Sequence, residues 1–161
     1  MGKVVSVEVT DKEQLGNLTI YKEGEVLVGA SSNENGTTFQ YEKRRQKGAI
    51  YNLYAAEDIK TPDGAVVYQA GALVKENLVT GDDGSVTVTN LHLGTYRVTE
   101  IQAPENFYNA GESKTVTISY AGQTAEAAFA ETTFQNDRQK VSSKPKAILS
   151  ARRFSIMWYF S

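Results

Sequence analysis

Apolar and polar residues alternate along most of this chain, in short runs rich in Val, Thr, Tyr and Ile that are separated by clusters of Gly, Asn and Asp. A period of two belongs to a strand with one buried face, and many short strands between turn signals predict an all-β sandwich. Strands are expected at Val4 to Val9, Leu18 to Lys22, Thr37 to Glu42, Ala49 to Ala55, Leu73 to Thr80, Ser85 to Thr89, Thr95 to Gln102, Lys114 to Tyr120 and Ala125 to Gln135. Thr61-Pro62-Asp63-Gly64 and Gly81-Asp82-Asp83-Gly84 carry residues suited to tight turns, and Ala121-Gly122-Gln123 is expected to close a last hairpin. A further hairpin is expected around Asn33-Glu34-Asn35-Gly36, and one short helical turn over Ala55-Ala56-Glu57-Asp58-Ile59.

Three of these runs place a reactive polar side chain where the next inward apolar residue should fall: Leu18-Ile20-Lys22, Tyr96-Val98-Glu100 and Phe134-Asn136. Residues two apart on a strand face the same way, so the parity that buries Leu18 and Ile20 also buries Lys22, and likewise for Glu100 and Asn136. Unpaired burial of such groups is very costly. The least costly arrangement has the amine lose its proton, the carboxyl keep its own, and both meet the carboxamide within hydrogen-bonding range. These are the ingredients of a self-made Lys–Asn amide.

Composition narrows the alternatives. The 161 residues suffice for one ordinary domain plus extensions. A formal net charge of -2 offers no general attraction to nucleic acid. With no cysteine and a single histidine, thiolate metal sites, disulfides and multi-histidine metal sites are excluded. No Gly-rich phosphate loop or nucleophile elbow is present, His92 reads as a turn residue, and Asp58, Asp63, Asp82 and Asp83 read as turn-forming acids, so no enzyme activity, cofactor or metal is expected. No stretch reads as a signal peptide, a sorting motif or a membrane span, as for a cytoplasmic protein or a piece of a longer surface protein.

The run Gly48-Ala49-Ile50-Tyr51-Asn52-Leu53-Tyr54-Ala55-Ala56-Glu57-Asp58-Ile59, followed by Thr80 to Gly84, Asn90 to Glu100 and Ala103 to Tyr108, resembles the Cna B-type domains. These are also called SpaA-like prealbumin-fold domains and repeat in adhesins and pilins of Gram-positive bacteria. The resemblance covers about Leu18 to Asn136. Tyr96-Arg97-Val98-Thr99-Glu100, with Ala103-Pro104 close behind, is similar to the family's conserved-Glu box, which implies that Glu100 is the catalytic carboxyl. The first-strand lysine pattern falls on Lys22 and the last-strand asparagine on Asn136, so resemblance and parity select the same three residues. Two features depart from the family. The connection from Lys22 to Gly48 is long and leaves Lys43 as a rival lysine, disfavoured because Glu42 to Lys47 looks solvated. Tyr108, with Asn106 before it, stands where the family shows a Gly–aromatic turn after Ala-Pro, a change expected to alter only a loop.

The resemblance implies an immunoglobulin-like (prealbumin-like) β-sandwich at the cell wall of a Gram-positive bacterium. Its expected function is that of a stalk or spacer in an adhesin or pilin, with neighbouring tandem modules as partners and no membrane insertion. The alternative is a module binding a host matrix protein or glycan without a crosslink, through a patch drawn from Tyr41, Tyr51, Tyr54, Tyr68, Tyr108 and Tyr120. Residues 15–141 are expected to be the module. A short echo between Thr10 to Leu15 and Asn136 to Val141 makes residues 1–14 a preceding strand or linker. The compositionally distinct residues 142–161 are expected to be a truncated or frame-shifted tail.

Overall fold

The fold is described from a computed structural model, which describes residue 2 and residues 12–108 and 111–136. The expected strand Val4 to Val9, most of the preceding segment, the following segment 142–161 and most of the echo lie outside the described residues. The described residues form ten strands: β1 (Leu15–Asn33), β2 (Gly36–Arg45), β3 (Ile50–Ala55), β4 (Ile59–Lys60), β5 (Val66–Tyr68), β6 (Leu73–Val79), β7 (Ser85–Leu91), β8 (Gly94–Gln102), β9 (Ser113–Ile118) and β10 (Ala127–Asn136). One sheet joins β10, β1 and β2, with β7 also paired to β1; the other runs β6-β3-β8-β9, and β4 pairs with β5. The inward residues of the two four-stranded sheets, among them Leu18, Ile20, Leu53, Tyr96, Val98 and Phe134, form one apolar core. Alternation is what fills it: β1 buries every second residue from Gly16 to Gly24, and β8 does so from Tyr96 to Glu100.

The first strand carries much of the architecture. Its residues Leu15 to Gly24 pair in parallel with Ala127 to Asn136 of β10. On its other flank, Gly16 to Tyr21 pair with β7, and Glu23 to Asn33 pair antiparallel with β2. Lys22 sits at the changeover, its N–H donating to the Gly84 carbonyl at 2.9 Å and its carbonyl accepting from Gln46 N–H at 2.9 Å.

Several expectations are corrected. β1 does not end at Lys22 but continues to Asn33 as one arm of the expected hairpin, whose tip is closed by Asn35 N–H donating to Asn33 Oδ1 at 2.9 Å. A register shift between Leu27 and Gly29 interrupts the alternation, which is why the pattern reads as two strands. The expected helical turn at Ala55 to Ile59 is a bend. There the Glu57 and Asp58 side chains accept N–H bonds from Thr95 and Ala70 at 2.9 and 2.8 Å, and β4 begins at Ile59. The turn Thr61 to Gly64 joins β4 to β5, strands too short to show a period. The expected last hairpin is absent: β9 and β10 lie in different sheets, and β10 pairs with the first strand instead.

Candidate functional site

The buried polar side chains of the described fold are Lys22, Thr80, Glu100 and Asn136. Three of them meet. Lys22 Nζ donates to Glu100 Oε1 at 2.6 Å, and Asn136 Nδ2 donates to Glu100 Oε2 at 2.9 Å. Lys22 is 0%, Glu100 2% and Asn136 7% exposed, so the carboxyl group bridges amine and carboxamide inside the core. Each partner arrives on a different strand: Lys22 on β1, Glu100 on β8 of the facing sheet, and Asn136 at the end of β10. Asn136 is paired with Gly24, one inward step beyond Lys22.

The surroundings are aromatic. Tyr51, fully buried on β3, is the cross-strand partner of Glu100, and its hydroxyl donates to Glu100 Oε1 at a long 3.5 Å. Its ring lies 4.9 Å from that of Phe134. Lys114 on β9 lies over the Phe134 ring, with Nζ 5.1 Å from the ring centroid, and donates to the Thr133 carbonyl at 2.6 Å. No buried side-chain nitrogen or oxygen among the described residues lacks a partner.

Burial pushes the Lys22 amine down from its ordinary value of 10.5; the hydrogen bond and charge of Glu100 and the charge of Glu112 oppose this, while Lys114 adds to it. Burial, followed by the Glu100 charge, pushes the Tyr51 phenol well above its ordinary range, so it remains a donor. The rival Lys43 lies on the exposed β2, and its Nζ donates to Gln135 Oε1 at 3.1 Å. Alternation buries some of the tyrosines of the alternative patch, and Tyr51 is one that belongs to the core. Of the other tyrosines proposed for that patch, Tyr41, Tyr108 and Tyr120 are exposed. His92 Nδ1 is 2.6 Å from Glu13 Oε1, and no group of three potential metal ligands occurs among the described residues. Asn106 adopts a positive φ of 70°, the conformation a glycine would favour, and the aromatic that follows it is Phe107. Tyr108 is 63% exposed.

The prealbumin-like SpaA domain family model matches residues 37–133. The chain belongs to this family. A comparison with curated protein sequences gives no match. Among solved structures, the fold is similar to the minor pilin GBS52 of Streptococcus agalactiae (TM-score 0.53, 17% identity, 83% of this chain and 48% of that one). It is also similar to the TIE protein of Bacillus anthracis (TM-score 0.51, 23% identity, 78% of this chain and 17% of that one). The chain thus spans less than half the length of either. Among the described residues, no helix is long and apolar enough to cross a membrane.

Proposed function

We propose that this chain is a structural module, a stalk or spacer of a Gram-positive cell-surface pilin or adhesin, stapled by an amide that Lys22 and Asn136 form autocatalytically. The observation that carries the reading is the bridging carboxyl group: one oxygen of Glu100 on the Lys22 amine, the other on the Asn136 nitrogen, all three buried. Family membership and the pilin likeness support the surface role and tandem modules of the same protein as neighbours.

An ammonium ion is no nucleophile. Proton transfer along the 2.6 Å bond to Glu100 Oε1 turns the buried ion pair into a free amine and a carboxylic acid, which desolvation favours. Nζ then adds to the Asn136 side-chain carbonyl carbon. The carboxyl group works from both oxygens, giving a proton to Nδ2 and taking one from the attacking nitrogen. The carbon–Nδ2 bond breaks and ammonia leaves, with a secondary amide formed and Glu100 left protonated beside it. Holding both partners on the two oxygens of one carboxyl group makes the reaction intramolecular, and effective molarities reach about 10⁵ M or more in favourable model systems. The step happens once per molecule, so the module is not an enzyme in the turnover sense.

Intact-mass spectrometry of the purified, folded chain tests the reading. The amide predicts a deficit of one ammonia, about 17 Da, since nucleophile and carboxamide become one covalent unit. Lys22→Ala, Glu100→Ala and Asn136→Ala each restore the full mass, and Lys43→Ala leaves the deficit in place. An undiminished mass in the folded wild-type chain rejects the crosslink and leaves the fold and family unaffected.

A further inference from the structure

The inward row of β1 runs Leu18, Ile20, Lys22 and then Gly24, so at the level of Asn136, its register partner, β1 contributes no side chain. That space is occupied by the ring of Phe107. A Cβ built on Gly24 would lie 2.2 Å from Phe107 Cε1, 2.6 Å from Cζ and 3.0 Å from Cδ1, the first two closer than real Cβ contacts come. The ring arrives there because β8 ends at Gln102, the buried Ala103 and Pro104 follow, and Asn106 turns the chain back, with Phe107 N–H donating to the Pro104 carbonyl at 3.1 Å. Just beside this contact a polar pocket of about 90 Å³, lined by Glu23, Gly24, Glu25, Lys43, Gln135 and Asn136, brings solvent up to the end of β10.

We propose that Phe107, seated on the side-chain-free face of Gly24, is the plug that keeps water from the Lys22–Glu100–Asn136 cluster and so sets the rate of the self-crosslinking reaction. This rests on the crosslink reading. Phe107 is a positioning residue: its role is to act through the dryness of the site. The argument is one of place. The core is closed by apolar residues below Lys22, whereas at the open end it has only Gly24 on β1 and the carboxamide on β10, and the aromatic ring supplies the missing cover. The groups that face the amine remain Glu100 from β8, Tyr51 from β3, and Glu112 and Lys114 from β9 and its approach. Of the influences on its protonation, the ring controls solvation alone. Admitting water favours the ammonium–carboxylate pair over the neutral amine–carboxylic acid pair, and each unit by which the amine's pKa then rises relative to the carboxyl's lowers the reactive fraction about tenfold.

The full chain, made by cell-free synthesis and sampled over time by intact mass across a pH series, tests this. Phe107→Ala is expected to slow ammonia loss by about tenfold or more at neutral pH and to displace the falling limb of the pH–rate profile, where the amine–carboxyl pair loses its one proton, to higher pH. Gly24→Ala, which drives the ring off its seat, is expected to do the same, while Phe107→Leu keeps an apolar cover and stays within a few-fold of wild type. A merely structural ring would lower the yield of folded protein, read by near-UV circular dichroism, without moving the profile. Wild-type rate and profile in folded Phe107→Ala or Gly24→Ala overturn the plug while leaving the crosslink intact. Failure of both variants to fold also overturns it, because the ring would then be holding the sandwich together. A wild-type chain that never loses ammonia overturns the crosslink reading itself.

Discussion

Glu100 holds two strong hydrogen-bond donors and a weak third, and its partners do not lose equally when one member is removed. Deleting the carboxylate leaves the Lys22 amine buried without its acceptor, a change that typically costs about 3 to 5 kcal/mol. Asn136→Ala keeps the Lys22–Glu100 pair. Both variants lack the proposed amide, so urea denaturation is expected to show Glu100→Ala the less stable of the two by a few kcal/mol, roughly the cost of an unpaired buried charge. Asn136→Ala also exposes the amine's titration. Its folded-state pKa lies below the ordinary 10.5 because of burial. Between those two values the unfolded chain binds the proton and the folded chain does not, so unfolding free energy rises with pH and levels off above 10.5. Denaturation midpoints of Asn136→Ala that increase as pH rises toward 10.5 would show this linkage; a flat or falling trend would mean that the amine stays charged in the fold.

The hairpin formed by the distal half of β1 and by β2 is an element added to the sandwich rather than part of its core. No residue of β2 is buried, and Leu27, Val28, Phe39 and Tyr41 are 38 to 54% exposed. Leu27 and Tyr41 are register partners, so an Asn-Gly turn joining them would close a shorter ribbon. Replacing Val28 to Gln40 with Asn-Gly is expected to change stability by no more than about 1 kcal/mol, since the excised surface adds nothing to the core, and to reduce self-association of an exposed apolar edge. Denaturation and analytical ultracentrifugation check the two parts; a loss of several kcal/mol would mean that the ribbon braces the sandwich. The inward positions of Lys22, Glu100 and Asn136 were legible in the sequence because strand parity is local and strict. The continuation of β1 past Lys22 was not, since a one-residue shift near Val28 breaks the period. Nor was the parallel pairing of β10 with β1: Ala121-Gly122-Gln123 looked like a hairpin turn, yet the strands it joins go to different sheets, a choice made by partners far away in sequence. Tyr51 and Phe107 were hidden for a related reason, because their contacts with Glu100 and Gly24 cross between elements that no local pattern connects.

At the scale of the whole molecule, the parallel β1–β10 pair decides how load would travel. Leu15 pairs with Ala127 and Gly24 with Asn136, so the described chain enters this ladder at one end and leaves at the other. Tension between the two ends shears the pair along its length. Without a covalent link, the load falls on backbone hydrogen bonds, and their failure releases the strands and the core between them. The proposed amide changes the path: force entering at Leu15 runs along β1 to Lys22, crosses to Asn136 and leaves, bypassing everything from Glu23 to Gln135. The same closure restricts the unfolded chain, for which loop-entropy estimates give about 5 kcal/mol at this loop length. In single-molecule pulling between handles attached outside residues 15 and 136, wild type is expected to show no unfolding event. Asn136→Ala is expected to release roughly 40 nm in one step, at about 3.5 Å per extended residue. A wild-type chain that lengthens by the same amount would show that load passes through the sheet, and the module would then resist force only as well as its hydrogen bonds do.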